Sequence, residues 1–420
     1  MRPWYKNLDW PVTAAWTLLV AAGLTAIYSV THGPAREFLL LSVQQNFERQ
    51  VQWFAISAVA MAIIVLTPAR WVHRMSVPAY VIGIALLVAA LLFGREVNGA
   101  KAWLYIGPLG LQPGELGKVG TLMLASRLLA LNPAREGRWS FLALVAGVIG
   151  LPAVLLLAAN DTGTALVYLS MAPVLLFWSG AVSLPVMALL LAPAVAGYFA
   201  IVSLPIALLF GLAFPIAMYV FTRSTALTAL GVAASLGVAV GAYVGLTKVL
   251  QPHQVDRIIA FADPERPEFR ATTGFHVIQS KAAIGSGGLI GKGFTNGTQT
   301  QLAFIPEQST DFVFTVIGEE WGFVGATLVI ALFGFLLVRL TRLGVSAGFA
   351  FPRMFCAGVA GIFLVHIIIN IGMTIGLMPV IGIPLPFVSY GGTALLANTA
   401  MVAVALNLHA RRDEFAVYSG

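Results

Sequence analysis

Charged residues are scarce in this chain, so the few that fall beside long apolar runs stand out as candidates for chemistry. Glu115 and Lys118 open one such run in LQPGELGK; three residues apart, they share a helix face and can pair. That pairing has two readings, an ion pair that holds helices together and a charged pair that acts on a substrate. Asp161 stands in ANDTGTAL, at the junction of two further runs. Glu307 and Asp311 lie four apart in AFIPEQSTDF, and Glu319 and Glu320 follow deeper in the next run, where helix packing or interfacial solvation is the simpler reading.

Asp311 is the sharpest candidate. Pro306 ends the preceding loop, and the pattern predicts Ser309 or Thr310 as the cap of a helix beginning at Asp311. A carboxylate there complements the helix dipole and needs no further role. An aspartate at the rim of an apolar layer is also partly desolvated, which raises its pKa and suits it to accept a proton near neutral pH. His276, His366 and His409 are scattered without ligand spacing and read as packing or interface residues. The glycines of IGSGGLIGKG follow no clear strand and miss the spacing of a nucleotide loop. They fit a loop approaching a pyrophosphate, with Lys281 and Lys292 as counter-charges.

The elements that position these residues are membrane spans. Of 420 residues, 59% are hydrophobic and 10% charged, with mean hydropathy +0.89; a soluble domain carries about 25% charge. Apolar runs fall at about 12–30, 51–67, 76–93, 115–131, 141–158, 162–179, 183–203, 205–221, 227–247, 311–338, 353–376 and 389–408, each near the length that crosses a bilayer. The fold class is all-α, a polytopic transmembrane helix bundle of about 10–12 spans in one integral domain, residues 1–420. Pro185, Pro193, Pro205 and Pro215 interrupt 183–247, which holds one span or three.

The pI of 9.7 does not indicate nucleic acid, because the basic residues sit at the ends of apolar runs rather than in one stripe. With both termini cytoplasmic, Arg2, Lys6, Arg70, Arg74, Arg135, Arg138, Arg223, Arg339, Arg342, Arg353, Arg411 and Arg412 collect inside, and Arg36, Arg49, Arg95 and Lys101 fall opposite. Two long segments, about 94–114 and 248–310, then lie outside with the candidate acids. The alternation in HVIQSKAAIGSGG predicts partial order within the second. The single cysteine, Cys356, excludes a disulfide framework and a cysteine-based metal site. The first run is too long for a signal-peptide core and lacks a convincing cleavage site, so it reads as a retained span.

Four segments together are specific. NGAKAWLYIGPLGLQPGELGK, HVIQSKAAIGSGGLIGKG, FIPEQSTDFVFTVIGEEWG and NIGMTIGLMPVIGIPLPFVSYGG resemble, in this order, the diagnostic segments of the SEDS family of shape, elongation, division and sporulation glycosyltransferases. Their wording is nearer the RodA branch than the FtsW branch. The resemblance covers most of the chain outside about 183–247, which looks like an inserted helix pair. It implies an enzyme that polymerises lipid II into glycan strands at the outer face of the bacterial inner membrane, for cell-wall elongation, beside a class B penicillin-binding protein. It places the essential acid at Asp311 and the family's glutamate and lysine at Glu115 and Lys118. Lys281, Glu307, Lys101, Arg257, Asp161 and Ser389 are the candidate substrate contacts. The implied step is inverting: Asp311 deprotonates the acceptor hydroxyl, which displaces undecaprenyl pyrophosphate from an α-linked donor. Positive charge for the leaving group comes from Lys281, Lys118, Arg257 or a divalent cation, Mg2+ or Mn2+, with Asp311 a possible ligand and no organic cofactor. The chain departs from the family at QPGE for QPSE, at Ala102 for an arginine and at NDTGTAL for PDLGTAL.

Other classes are a lipid II flippase or ion-coupled carrier, a scaffold that recruits a synthase, and an FtsW-type division polymerase. A carrier needs polar residues reachable from both sides. Here Asp9, Glu136, Asp413 and Glu414 are the main acids of the cytoplasmic segments, and the inner halves of the spans are nearly free of them.

Overall fold

The computed structural model describes residues 4–97, 99–107, 109–131, 139–244, 274–305, 307–412 and 414. Arg257, Pro306 and the 248–273 part of the long loop lie outside the described residues. The long helices are α1 Trp10–His32, α2 Asn46–Leu66, α3 Ser76–Phe93, α4 Pro113–Leu131, α5 Trp139–Ala158, α6 Thr162–Ser179, α7 Leu184–Val202, α8 Leu204–Thr222 and α9 Thr225–Val244. After these come α10 Phe275–Ser286, the short α11 Val313–Glu320, α12 Gly322–Ser346, α13 Ala350–Thr374 and α14 Gly392–Ala410. Among the described residues, ten helices are long and apolar enough to cross a membrane. The more polar α4 and the apolar α7 complete the set that the runs predict. Lipid offers no hydrogen bonds, so apolar runs of this length close their backbone bonds as helices.

Two expectations change. The segment 94–114 is not irregular: β1 Arg95–Val97, β2 Ala100–Ile106 and β3 Leu109–Leu111 form an antiparallel meander, with Arg95 opposite Trp103 and Leu104 opposite Leu111. Gly99 and Gly107 turn its hairpins at φ +83° and +63°. The run at 311–338 is two helices, because the chain turns at Gly322 with φ +66°, leaving α11 separate from α12. Pro185 and Pro205 each sit in the first turn of a helix, where no N–H is missed, so all three helices α7–α9 form.

By contacts the chain divides into two compact units, Met1–Ser179 with Gln279–Leu377 and Ile381–Gly420, and Gly180–Ile278 with Met378–Val380. In the smaller unit, α7, α8 and α9 pack through Ala196, Ala200, Ala207 and Ala239. In the larger, small residues let backbones approach: a Cβ on Gly83 of α3 would lie 3.0 Å from the Gly117 Cα of α4. Polar side chains close the helix ends; Asn407 of α14 donates to the carbonyls of Ile64, at 2.8 Å, and Thr67, at 2.6 Å, beyond α2. Arginines gather at this end. Arg339 pairs with Asp9, Arg411 with Glu414 at 2.8 Å, and Arg127 donates to His73 O at 3.3 Å. The starts of α2, α4, α6, α11 and α14 meet the end of α13 at the opposite end, where the candidate acids lie.

Candidate active site

Glu115 sits in the first turn of α4, where the helix dipole favours a carboxylate, and pairs with Lys118 at 2.8 Å. Their side chains are 2% and 0% exposed, so the pair is sealed inside the bundle. Lys118 Nζ also lies 3.1 Å from His366 Nε2, and His366 Nδ1 lies 2.9 Å from Pro384 O. An ammonium only donates and a carbonyl only accepts, so the imidazole is neutral with its proton on Nδ1. One turn along α13, Asn370 Nδ2 donates to Ile383 O at 2.8 Å and to Asp311 O at 2.9 Å.

Asp311 is not the first residue of a capped helix. The cap position is Phe312, without a side-chain bond, and α11 begins at Val313. Ser309 Oγ instead accepts from Asn46 Nδ2 at 3.0 Å, and Thr310 Oγ1 donates to Glu307 Oε2 at 3.0 Å. Asp311 thus lies two residues ahead of the helix rather than in its first turn. Among the described residues the Asp311 carboxylate accepts no hydrogen bond and is partly exposed. Burial, then the charge of Glu307, push its pKa up to about 7. Such a group is a proton acceptor at neutral pH.

The segment 381–391 runs beside it. Gly382, at φ +76°, comes so close that a Cβ there would lie 3.4 Å from Asp311 Oδ2. Ser389 is buried; it donates to Thr310 O at 2.6 Å and accepts from Leu385 N at 2.8 Å, so it shapes the site rather than facing it. Gln50 of α2 holds Ser389 O and Gly391 N at 3.3 and 3.1 Å. Asp161 caps α6 through Thr164 N and accepts from Gln112 Nε2, both at 3.1 Å, joining NDTGTAL to QPGE. Lys101 on β2 donates to Leu92 O at 3.2 Å and Lys281 on α10 is exposed.

Lys292 of the glycine-rich loop turns to the chain's own Glu319, whose carboxylate accepts from Lys292 Nζ at 2.7 Å and, beyond the loop, from Thr298 N at 2.8 Å, Gln299 N at 2.9 Å and Thr300 N at 2.9 Å. Glu320 likewise takes Gln301 Nε2 at 2.8 Å and Ser29 Oγ. Lys292 is thereby removed from the counter-charges. Glu319→Gln keeps the volume and loses the charge-assisted bonds, which contribute roughly 1.5–3 kcal/mol each when one partner is charged. Its expected effect is faster amide exchange over 292–301 and a lower melting temperature; wild-type exchange there would refute the clamp.

Two groups gain partners that the sequence does not show. Arg49, counted only for orientation, is an exposed arginine on α2 that hydrogen-bonds Tyr390, whose N–H donates to Ser309 O at 2.8 Å. His366 and Asn370, four apart on an apolar helix, were visible as polar residues within a span.

The FtsW/RodA/SpoVE model, described as a cell cycle protein family, matches residues 9–211 and 204–414. The chain belongs to the FtsW/RodA/SpoVE family. It is 31% identical to the peptidoglycan glycosyltransferase RodA of Treponema pallidum, over 96% of each chain. It is 32% identical to the peptidoglycan glycosyltransferase MrdB of Escherichia coli K12, over 87% of this chain and 86% of that one. Among solved structures, a chain from a peptidoglycan synthase complex that coordinates polymerization and crosslinking aligns with TM-score 0.71 and 27% identity, over 96% of this chain and 98% of that one. The crystal structure of Thermus thermophilus RodA aligns with TM-score 0.61 and 26% identity, over 96% and 97%.

Proposed function

We propose that this member of the FtsW/RodA/SpoVE family is a peptidoglycan glycosyltransferase of the RodA kind, polymerising lipid II with Asp311 as general base. The observation that carries the mechanism is the Asp311 carboxylate, unpartnered among the described residues and held at about 7. Deprotonated, it takes the proton of the acceptor sugar hydroxyl. The oxygen then attacks the anomeric carbon, and the bond to undecaprenyl pyrophosphate breaks. An α-linked donor giving a β-linked product requires one in-line displacement, so one base suffices and no glycosyl-enzyme forms.

The leaving diphosphate requires positive charge. Lys118 is sealed, so exposed Lys281 and Arg49 are the better suited residues. Arg49→Gln removes a charge-assisted bond and is expected to lower kcat/KM about tenfold or more, mainly through KM. An unchanged KM for lipid II would release Arg49 from this role. A divalent cation fits the donors too: Asp311 and Glu307 are neighbouring carboxylates, the oxygen chemistry that Mg2+ and Mn2+ take alongside diphosphate. When bound, it would neutralise the leaving group.

The arginine-rich end supports a cytoplasmic placement for Arg70, Arg74, Arg339, Arg342, Arg353, Arg411 and Arg412, and hence an outward-facing site in the inner membrane. The synthase-complex relative supports a crosslinking partner, a class B penicillin-binding protein. The deciding experiment incubates purified protein with labelled lipid II, with and without that partner. Glycan polymer is expected; lipid II movement across sealed vesicles without polymer would establish a flippase instead.

A further inference from the structure

The mechanism makes no direct use of the buried Glu115–Lys118 pair, His366 or Asn370. Neither member of the pair offers a charged atom to a substrate in this conformation, yet the pair is connected. Lys118 reaches His366 Nε2 at 3.1 Å, and the opposite ring nitrogen reaches Pro384 O at 2.9 Å.

The receiving segment explains why such a link is needed. Pro384 and Pro386 lack N–H groups and 381–391 forms no helix or strand; Leu385 O and Gly391 O take backbone N–H groups, while the carbonyls of Ile383, Pro384 and Ser389 take side chains of neighbouring helices. Phe387 is held at φ +67°, a strained conformation for a residue with a side chain, which persists only where the surroundings over-determine it. Gly23 of α1 packs so tightly that a Cβ would lie 2.5 Å from Val388 O. His366 and Asn370 grip the adjacent carbonyls of Pro384 and Ile383, and Asn370 also holds Asp311 O. Gly382, two residues before Pro384, is the group against Asp311 Oδ2.

We propose that His366 is a positioning residue: it anchors the 381–391 segment to the sealed Glu115–Lys118 pair and thereby holds Gly382 in place against the Asp311 carboxylate. This rests on the reading of Asp311 as the base. The family's glutamate and lysine then act on the reaction at a distance, through the imidazole, rather than by touching the sugar or the diphosphate.

The test compares His366→Ala with His366→Asn in the full-length protein. Asparagine places a donor near the position of Nδ1 and keeps the bond to Pro384 O, without reaching Lys118. His366→Ala is expected to lower kcat about 10²-fold, the scale of a misplaced catalytic group, with KM within about threefold. Amides of 385–391 should exchange faster. His366→Asn should restore slow exchange, because the bond to Pro384 O is kept, while kcat stays low because the link to Lys118 is still cut. A His366→Ala protein with wild-type kcat or with unchanged exchange would overturn the proposal, as would a His366→Asn protein with wild-type kcat or with 385–391 amides that exchange as fast as in the alanine variant. If the wild-type protein makes no polymer, the functional reading fails, and the exchange measurement alone decides whether His366 anchors the segment.

Discussion

Asp311→Asn should yield a folded protein that makes no detectable glycan polymer. Loss of a general base costs about 10²–10⁴ in rate, and the amide preserves size while removing proton affinity. The wild-type rate should rise as pH increases through about 7, because only ionised Asp311 accepts a proton. The same group gives a readout free of catalysis. Its folded pKa of about 7 lies above the ordinary 3.8, so the folded state holds the proton more tightly than the unfolded one. Stability from that proton is complete below 3.8 and lost as pH rises toward about 7. Asp311→Asn should therefore melt above wild type at pH 8 and together with it near pH 3.8. Equal melting at both pH values would mean that Asp311 is not desolvated, and full activity in the variant would remove it from the mechanism.

The second large effect concerns the sealed pair. Glu115→Ala leaves the Lys118 ammonium buried with only imidazole beside it, and breaking a buried pair costs about 3–5 kcal/mol. Replacing both with leucine removes both charges, so the double variant should be much more stable than Glu115→Ala, with an interaction energy of roughly 0.5–3 kcal/mol or more. Activity should not follow stability back, because His366 still lacks the partner on its Nε2 side. A double variant with wild-type kcat would mean that the pair only holds helices together. Additive losses in melting would mean that the two charges do not depend on each other.

The spans were legible because lipid leaves an apolar run of this length one way to satisfy its backbone. Glu115 and Lys118 were legible as a pair because three residues on a helix share a face. Asp311 stood out through desolvation beside an apolar run, and burial does raise its pKa, but the local structure differs from the expected capped helix. Ser309 and Thr310 have the chemistry of caps, yet long-range partners, Asn46 and the 381–391 segment, take Ser309 and the Thr310 carbonyl, and Thr310 Oγ1 turns back to Glu307. Cap rules describe local competition and do not see Asn46, 263 residues away. The meander at 95–111 was missed although the dipeptide NG at 98–99 is a hairpin signal, because the strands are short and the segment was read only as a long outside connection. Lys292 was read as a counter-charge for an external anion; Glu319, which takes it, comes from a later helix that spacing does not link to it. His366 could not be assigned from spacing at all, since Lys118 lies 248 residues before it and Pro384 belongs to a stretch with no periodicity.

Cys356 is the chain's single cysteine and is 0% exposed, enclosed in α13. The natural protein is thus already a blank for thiol labelling. A cysteine introduced at Lys281 or at Arg342 would be the one accessible to a membrane-impermeant maleimide, on intact cells or only after lysis according to its side. Sidedness of the catalytic end becomes a labelling question, answered without deleting any native cysteine.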